Sequence, residues 1–481
     1  QARAGTTHRA RLDNESAAMA PSMSLPVMFK HLAMSTLVAA QVSLSIPGPS
    51  GFDVCKPTDC FDAKCAGTPV EFKGTKLQLS TWDGTNYSLV GDIQAYSLVQ
   101  DDFGIFLHGP LFRPAQRNAN DVLPSVFVTG SLTDKIFKFD DFRFSGGDMS
   151  ANMKTVASSP GPSTMYPIPP AYEGGPERLM VAEGNPFFLN PGNHTASMWR
   201  GGVQVIDEEK CTTIFPVNPL MSALGRVVNT VECHDSGFCF FSVWKFYDDS
   251  LPMLLDDCLY WCKVNAINDP TTCTEVGIVE DDQGTPICHV NGKGGVHGFK
   301  IGKDDTSKSN VFDIFLLFTG QGTFDKGDSE VYKIQLQVDH EGGLDSKPKF
   351  VKTLSKAEWG TDLWKKTVEK PDHDVGVDHA WIDDDGKYVW VGTFRKQNNG
   401  VHMLEYDTGK LIHSVRGIAD IIPGKYGYTS GLSGIGAYGK PGSYIALATC
   451  EEFGQQFLGG HSAFVLLDIS KAPGNGATVI V

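Results

Sequence analysis

Between Asp378 and Val415 the apolar residues fall two apart in four successive runs, HAWID, KYVWVGTF, VHMLEYD and KLIHSV. The runs are separated by Asp384-Asp385-Gly386, Asn398-Asn399-Gly400 and Thr408-Gly409. A period of two places alternate side chains on opposite faces of a strand, and Asx-Gly and Thr-Gly pairs are the chemistry of tight hairpin turns. The stretch therefore predicts four antiparallel strands in up-and-down order, one blade of a β-propeller.

The pattern recurs along the chain. A second strand, a turn and a third strand can be read in VFVTGSLTDKIFKFD (126–140), in RLMVAEG with GGVQVID, in FCFFSVWKF with CLYWCKVN, in VFDIFLLFTG with EVYKIQLQVD, and in SYIALATC with SAFVLLD. The third strands close on Asp140, Asp207, Asn265, Asp339, Asp407 and Asp468. These recur about 60–75 residues apart, longer than the roughly 40–50 residues of compact propeller repeats, so the blades carry long loops. The repeated Asx is read first as a turn residue that bonds its own backbone. The fold expected is all-β, a propeller of six four-stranded blades, or of seven if residues 66–104 complete another. That segment, TKLQLSTWDGTNYSLVGDI at its centre, either builds most of a blade or supplies the strand that closes the ring, with ATVIV (477–481) as the natural outer strand of the last blade. Closure is required because an open ring leaves sheet edges unpaired.

The lines HAWIDDDGKYVWVGTF, VFVTGSLTDKIFKFD and VHMLEYDTGKLIHSV resemble the blades of YVTN and NHL-type propellers and the lactonase-like superfamily around them. The resemblance spans about residues 100–481 and lies in repeat grammar; it implies an architecture that hosts hydrolases, lyases, oxidases and binding modules alike.

The chain has 481 residues, 41% of them hydrophobic, with a formal net charge of −15. An acidic balance without a basic run argues against nucleic acid and anionic membrane surfaces as partners, and leaves a small-molecule substrate. Three regions are expected: 1–47 as upstream residues and a signal peptide, 48–104 as a Cys-containing segment with closing strands or a partial blade, and 105–481 as the propeller. The signal reading rests on Lys30 before the short apolar run in MFKHLAMSTLVAAQVSLS, too short and interrupted for a membrane span. Eleven cysteines in turn-rich sequence agree with a secretory route and predict disulfides within Cys55–Cys65 and among Cys211–Cys288, with Cys450 as the odd thiol. A zinc site on Cys258 and Cys262 is the competing reading. Asn86-Tyr-Ser and Asn193-His-Thr are glycosylation acceptor triplets.

Chemistry is expected where inner strands begin, at one mouth of the central channel. His379 starts the inner strand of the organising blade, and His108 (LHGPLF) and His297 (VHGFKIGKDD) stand at comparable starts. The third blade offers Thr230 and the sixth Ser433; the second does not align. Neutral imidazoles suit copper, iron or zinc, and a ring of blades can aim side chains distant in sequence at one axial point. His461, after Gly459-Gly460, is a further metal candidate, and Asp374 and Asp378 are candidates for general base or for fixing an imidazole tautomer. The bland reading is that such histidines only bond a neighbouring blade. Asp383-Asp384-Asp385-Gly386 and Asp304-Asp305 have the composition of calcium loops without EF-hand spacing, and Asp and Gly are equally what hairpin turns require. Two functions remain: a secreted propeller metalloenzyme, oxidoreductase or hydrolase/lyase, acting on a small molecule at a His-lined site, or a non-catalytic extracellular propeller that engages glycan or protein with an exposed aromatic face.

Overall fold

The structure is a computed structural model. It describes residues 55–61, 65–83, 86–103, 107–114, 121–131, 133–159, 161–168, 178–184, 201–207, 211–216, 226–245, 258–264, 273–281, 283–288, 296–307, 311–318, 330–338, 348–354, 377–393, 400–422, 430–440, 443–451 and 462–470. All of them belong to one compact unit, Pro49–Val481. Among the described residues there is no α-helix, and no helix long and apolar enough to cross a membrane.

The chain enters through β1 (Lys56–Pro57) and a long hairpin, β2 (Thr68–Trp82) and β3 (Tyr87–Val99). Six antiparallel groups of strands follow. Blade 1 is β4 (Leu107–Arg113), β5 (Ser125–Gly130), β6 (Lys135–Ser145) and β7 (Asp148–Ser158); blade 2 is β8 (Pro162–Ile168), β9 (Arg178–Gly184), β10 (Gly201–Ile206) and β11 (Cys211–Pro216). Blade 3 is β12 (Arg226–His234), β13 (Phe238–Lys245), β14 (Leu259–Val264) and β15 (Cys273–Ile278); blade 4 is β16 (Val296–Asp304), β17 (Val311–Phe318), β18 (Glu330–Gln337) and β19 (Lys349–Leu354). Blade 5 is β20 (Val377–Ile382), β21 (Tyr388–Thr393), β22 (Gly400–Glu405) and β23 (Leu411–Arg416), and blade 6 is β24 (Ser430–Tyr438), β25 (Tyr444–Glu451) and β26 (Ala463–Asp468) with part of β3.

The first strands form a closed ring: β4 packs on β8, β8 on β12, β12 on β16, β16 on β20, β20 on β24, and β24 on β4 again. Six apolar clusters fill the six gaps between neighbouring blades. In β17, Phe312, Ile314 and Leu316 face blade 3 while Phe315 and Leu317 face blade 5; in β25, Ile445 and Leu447 face blade 5 while Ala446 and Ala448 face blade 1. A blade covered on both sides buries both sets of an alternating strand, which is why second strands such as VFDIFLLF read as unbroken apolar runs. The molecule is a six-bladed β-propeller.

Closure is made by the N-terminal hairpin. Gln94–Val99 of β3 pairs with β26 and takes the outer position of blade 6, the place expected for ATVIV, which lies outside the described residues. Its partner β2 reaches further, pairing with β7 of blade 1 over Thr68–Phe72 and with β23 of blade 5 over Leu79–Thr81. One hairpin thus clasps three consecutive blades across the point where the ring closes.

Five disulfides are formed among the described residues. Cys60–Cys65, Cys233–Cys239, Cys258–Cys288 and Cys262–Cys273 fall within the two expected groups. Cys55–Cys211 joins the groups, tying the segment before β2 to the outer strand of blade 2. Cys258 and Cys262 are oxidised and offer no thiolate to zinc. The side chain of Cys450 lies outside the described residues. Of the repeated Asx positions, Asp468 accepts from the Ser470 N–H at 3.0 Å as a turn residue should. Asp140 differs: β6 continues to Ser145, and the Asp140 carboxylate is paired with buried Lys154 at 2.8 Å.

Candidate functional site

Every inner strand breaks register near its start. The shift against the second strand falls between His108 and Leu111 in β4, Pro162 and Met165 in β8, Val228 and Thr230 in β12, Val296 and Gly298 in β16, Val377 and Ala380 in β20, and Leu432 and Gly434 in β24. A bulge leaves an extra residue out of the ladder and re-aims its side chain. The residues so displaced are His108's successors Gly109 and Pro110, then Ser163 and Thr164, Asn229, His297, Asp378 and His379, and Ser433. Gly109 adopts φ +46°, and a Cβ there would stand 2.8 Å from the Ser163 carbonyl. Glycine is needed both for that backbone and for the close approach of β4 to β8.

The three histidines meet. His108, His297 and His379 are 4%, 6% and 7% exposed. The imidazole of His379 lies edge to face with both others, its ring centroid 5.9 Å from that of His108 and 6.2 Å from that of His297. Three blades, 1, 4 and 5, thus place buried imidazoles at one level of the channel. As the rings stand, no group of three or more His, Cys, Asp or Glu among the described residues is arranged to hold an ion. Asp374 and His461 lie outside the described residues, and the side chain of Asp378, on β20, does too.

A belt of hydrogen bonds holds the bulges from blade to blade. Thr129 Oγ1 donates to the Ser163 carbonyl, Ser163 Oγ to Asn229 Oδ1 at 2.9 Å, and Thr164 Oγ1 to the Asn229 carbonyl at 2.8 Å. Asn229 Nδ2 and Ser242 Oγ both donate to the His297 carbonyl at 2.8 Å, and Ser433 Oγ donates to the Leu107 carbonyl. These main-chain oxygens are engaged by neighbouring blades, so the chemistry of this level is that of imidazole, hydroxyl and amide side chains.

The third-blade position equivalent to the histidines is Asn229, one residue before the expected Thr230, and the second blade contributes Ser163 and Thr164. One local signal marks these sites. An apolar residue followed by a polar one and then a small or hydroxylic one occurs in Val296-His297-Gly298, Leu107-His108-Gly109, Val228-Asn229-Thr230, Leu432-Ser433-Gly434 and Pro162-Ser163-Thr164. Aligning on the following turns instead of on this triplet displaces blade 3 by one.

The remaining described histidines are structural. His234 stacks on Phe312 with ring centroids 3.9 Å apart and bonds Ser236 and Asp304, each at 2.8 Å, linking blades 3 and 4. His402 is buried between Ser414 Oγ at 2.8 Å and Thr393 Oγ1 at 3.2 Å; burial and then the Arg416 charge push its imidazole down to about 3. Burial also lowers His413. The acidic turn of blade 5 serves the fold as well. Asp383 Oδ1 accepts from Lys387 and Tyr388 N–H at 2.9 and 3.1 Å, Asp384 accepts from Gly439 N–H at 3.0 Å, and Lys440 holds the Asp385 carboxyl below its usual range at 3.0 Å.

No family model matches the sequence, and no curated protein matches it. Similar solved structures include a luciferin-regenerating enzyme, at 12% identity and a TM-score of 0.44, over 77% of this chain and 95% of that one. A gluconolactonase from Xanthomonas campestris is similar at 11% identity and a TM-score of 0.45, over 84% and 98% of the two chains. A calcium-binding regucalcin from Agrobacterium tumefaciens is similar at 11% identity and 0.42, over 82% and 95%. The architecture of this chain rests on its own strand pairing.

Proposed function

We propose that this chain is a propeller metalloenzyme acting on a small molecule, with its chemistry at the channel end where His108, His297 and His379 meet. The observation that supports the reading is that meeting, made by three blades, two of them held beside the histidine by neighbouring blades through the Leu107 and His297 carbonyls. Imidazoles that share an ion about 2.1 Å from each nitrogen keep their ring centroids roughly 5–6.5 Å apart, depending on ligand angle. The observed 5.9 and 6.2 Å fall in that span, and a rotation of the rings would aim the nitrogens inward. The donor set is borderline-soft nitrogen without a described carboxylate, which suits copper, iron or zinc better than calcium. Bound there, the ion would polarise a substrate oxygen or lower the pKa of a water. His461 is the candidate fourth ligand, and Asp374 or Asp378, beside His379 in sequence, the candidate general base. Ser163 and Asn229, on the facing arc, would orient a polar substrate by hydrogen bonds. Five disulfides support an oxidising, extracellular or luminal setting.

The alternative of a scaffold with an exposed aromatic face finds less support, since Leu89 and Phe144 are the large apolar side chains exposed among the described residues. Elemental analysis of tag-free protein is the test. Close to one transition metal per chain, lost in His297→Ala and His379→Ala together with activity toward any substrate found, supports the metalloenzyme. A metal-free wild type whose melting is matched by His379→Ala leaves the histidines structural.

A further inference from the structure

The turn joining β2 to β3 carries Asn86-Tyr87-Ser88, the acceptor triplet for an N-linked sugar. Trp82 and Tyr87 are cross-strand partners with ring centroids 5.0 Å apart, and the Arg416 guanidinium lies 3.8 Å over the Tyr87 ring. This packing draws Tyr87 inward and leaves Asn86 and Ser88 exposed. The turn is held by Asp83, whose Oδ1 accepts from the Asn86 N–H at 2.7 Å and whose own N–H donates to the Asn86 carbonyl at 3.2 Å. The side-chain amide of Asn86 is not needed for the turn.

We propose that Asn86 carries an N-linked glycan. In that reaction the Asn86 amide nitrogen forms a C–N bond to the anomeric carbon of a polyprenyl-diphosphate-linked oligosaccharide. The C–O bond to diphosphate breaks, polyprenyl diphosphate leaves with the electron pair, and the amide gives up one proton. The disulfides are compatible with the oxidising route where such donors and transferases act.

The test uses full-length protein secreted from a eukaryotic host. Peptide N-glycosidase in heavy-oxygen water should convert Asn86 to labelled aspartate, Asn86→Gln should migrate one glycan increment faster, and Ser88→Thr should retain the increment. Recovery of Asn86 unmodified from the wild type overturns the site.

Discussion

The side-chain amide of Asn229 donates to the main-chain carbonyl of His297 at 2.8 Å, so the bulge that carries this histidine in blade 4 is held by a residue of blade 3. Asn229 also accepts from Ser163 Oγ, which extends the hold to blade 2. Truncation at Asn229 removes the acceptor of the buried Ser163 hydroxyl and one of the two donors to the His297 carbonyl, Ser242 Oγ being the other. Asn229→Ala should therefore lower the unfolding free energy by about 1–3 kcal/mol, read from the urea midpoint. A midpoint equal to that of the wild type would show that the belt does not hold the bulges.

A bound ion stabilises only the folded chain. With free metal about 100-fold above its dissociation constant, the gain is about 2.7 kcal/mol. Chelation should thus lower the melting temperature of the wild type and leave that of His379→Ala unchanged. Equal responses in both proteins would place any bound metal elsewhere.

His402 makes stability depend on pH. Its folded-state imidazole is pushed from the ordinary 6.5 down to about 3, first by burial and then by Arg416. The unfolded chain therefore takes up the proton first. Stability is full above about pH 6.5 and falls as pH drops toward about 3, by on the order of 1.4 kcal/mol per pH unit. His413, lowered by burial, acts in the same direction. His402→Gln, which can still bond Ser414 and Thr393, should flatten the denaturation midpoint between pH 6.5 and pH 4 relative to wild type.

Cys55–Cys211 spans 156 residues and anchors the segment that leads into the closing hairpin. Loss of so long a cross-link relaxes the unfolded chain and frees the clasp. Cys55→Ser with Cys211→Ser should cost about 2–5 kcal/mol, with the melting temperature as the readout, whereas the short Cys60–Cys65 loop should matter less.

Much of this was legible in local pattern. The four runs from His379 to Val415 are β20 to β23, and the strands read at 126–140, 311–339 and 443–468 are all found, because alternation of apolar and polar residues is written in immediate neighbours. His108, His297 and His379 could be placed at inner-strand starts for the same reason: each stands a fixed distance before a readable second strand. The alignment failed where that reference was weak, at Asn229 and at Ser163, since a bulge inserts a residue that a regular period does not count.

What the sequence by itself determined is the strand repeat, the acidic surface, the disulfide-rich character and the three histidines as a set. Tertiary structure alone decided that six blades close through β3, that Cys55 reaches Cys211, and that Asn229 steadies His297. Each of these joins segments far apart in the chain, and the partner of a strand edge, a thiol or an amide is chosen by which distant surface folding brings within a few ångströms.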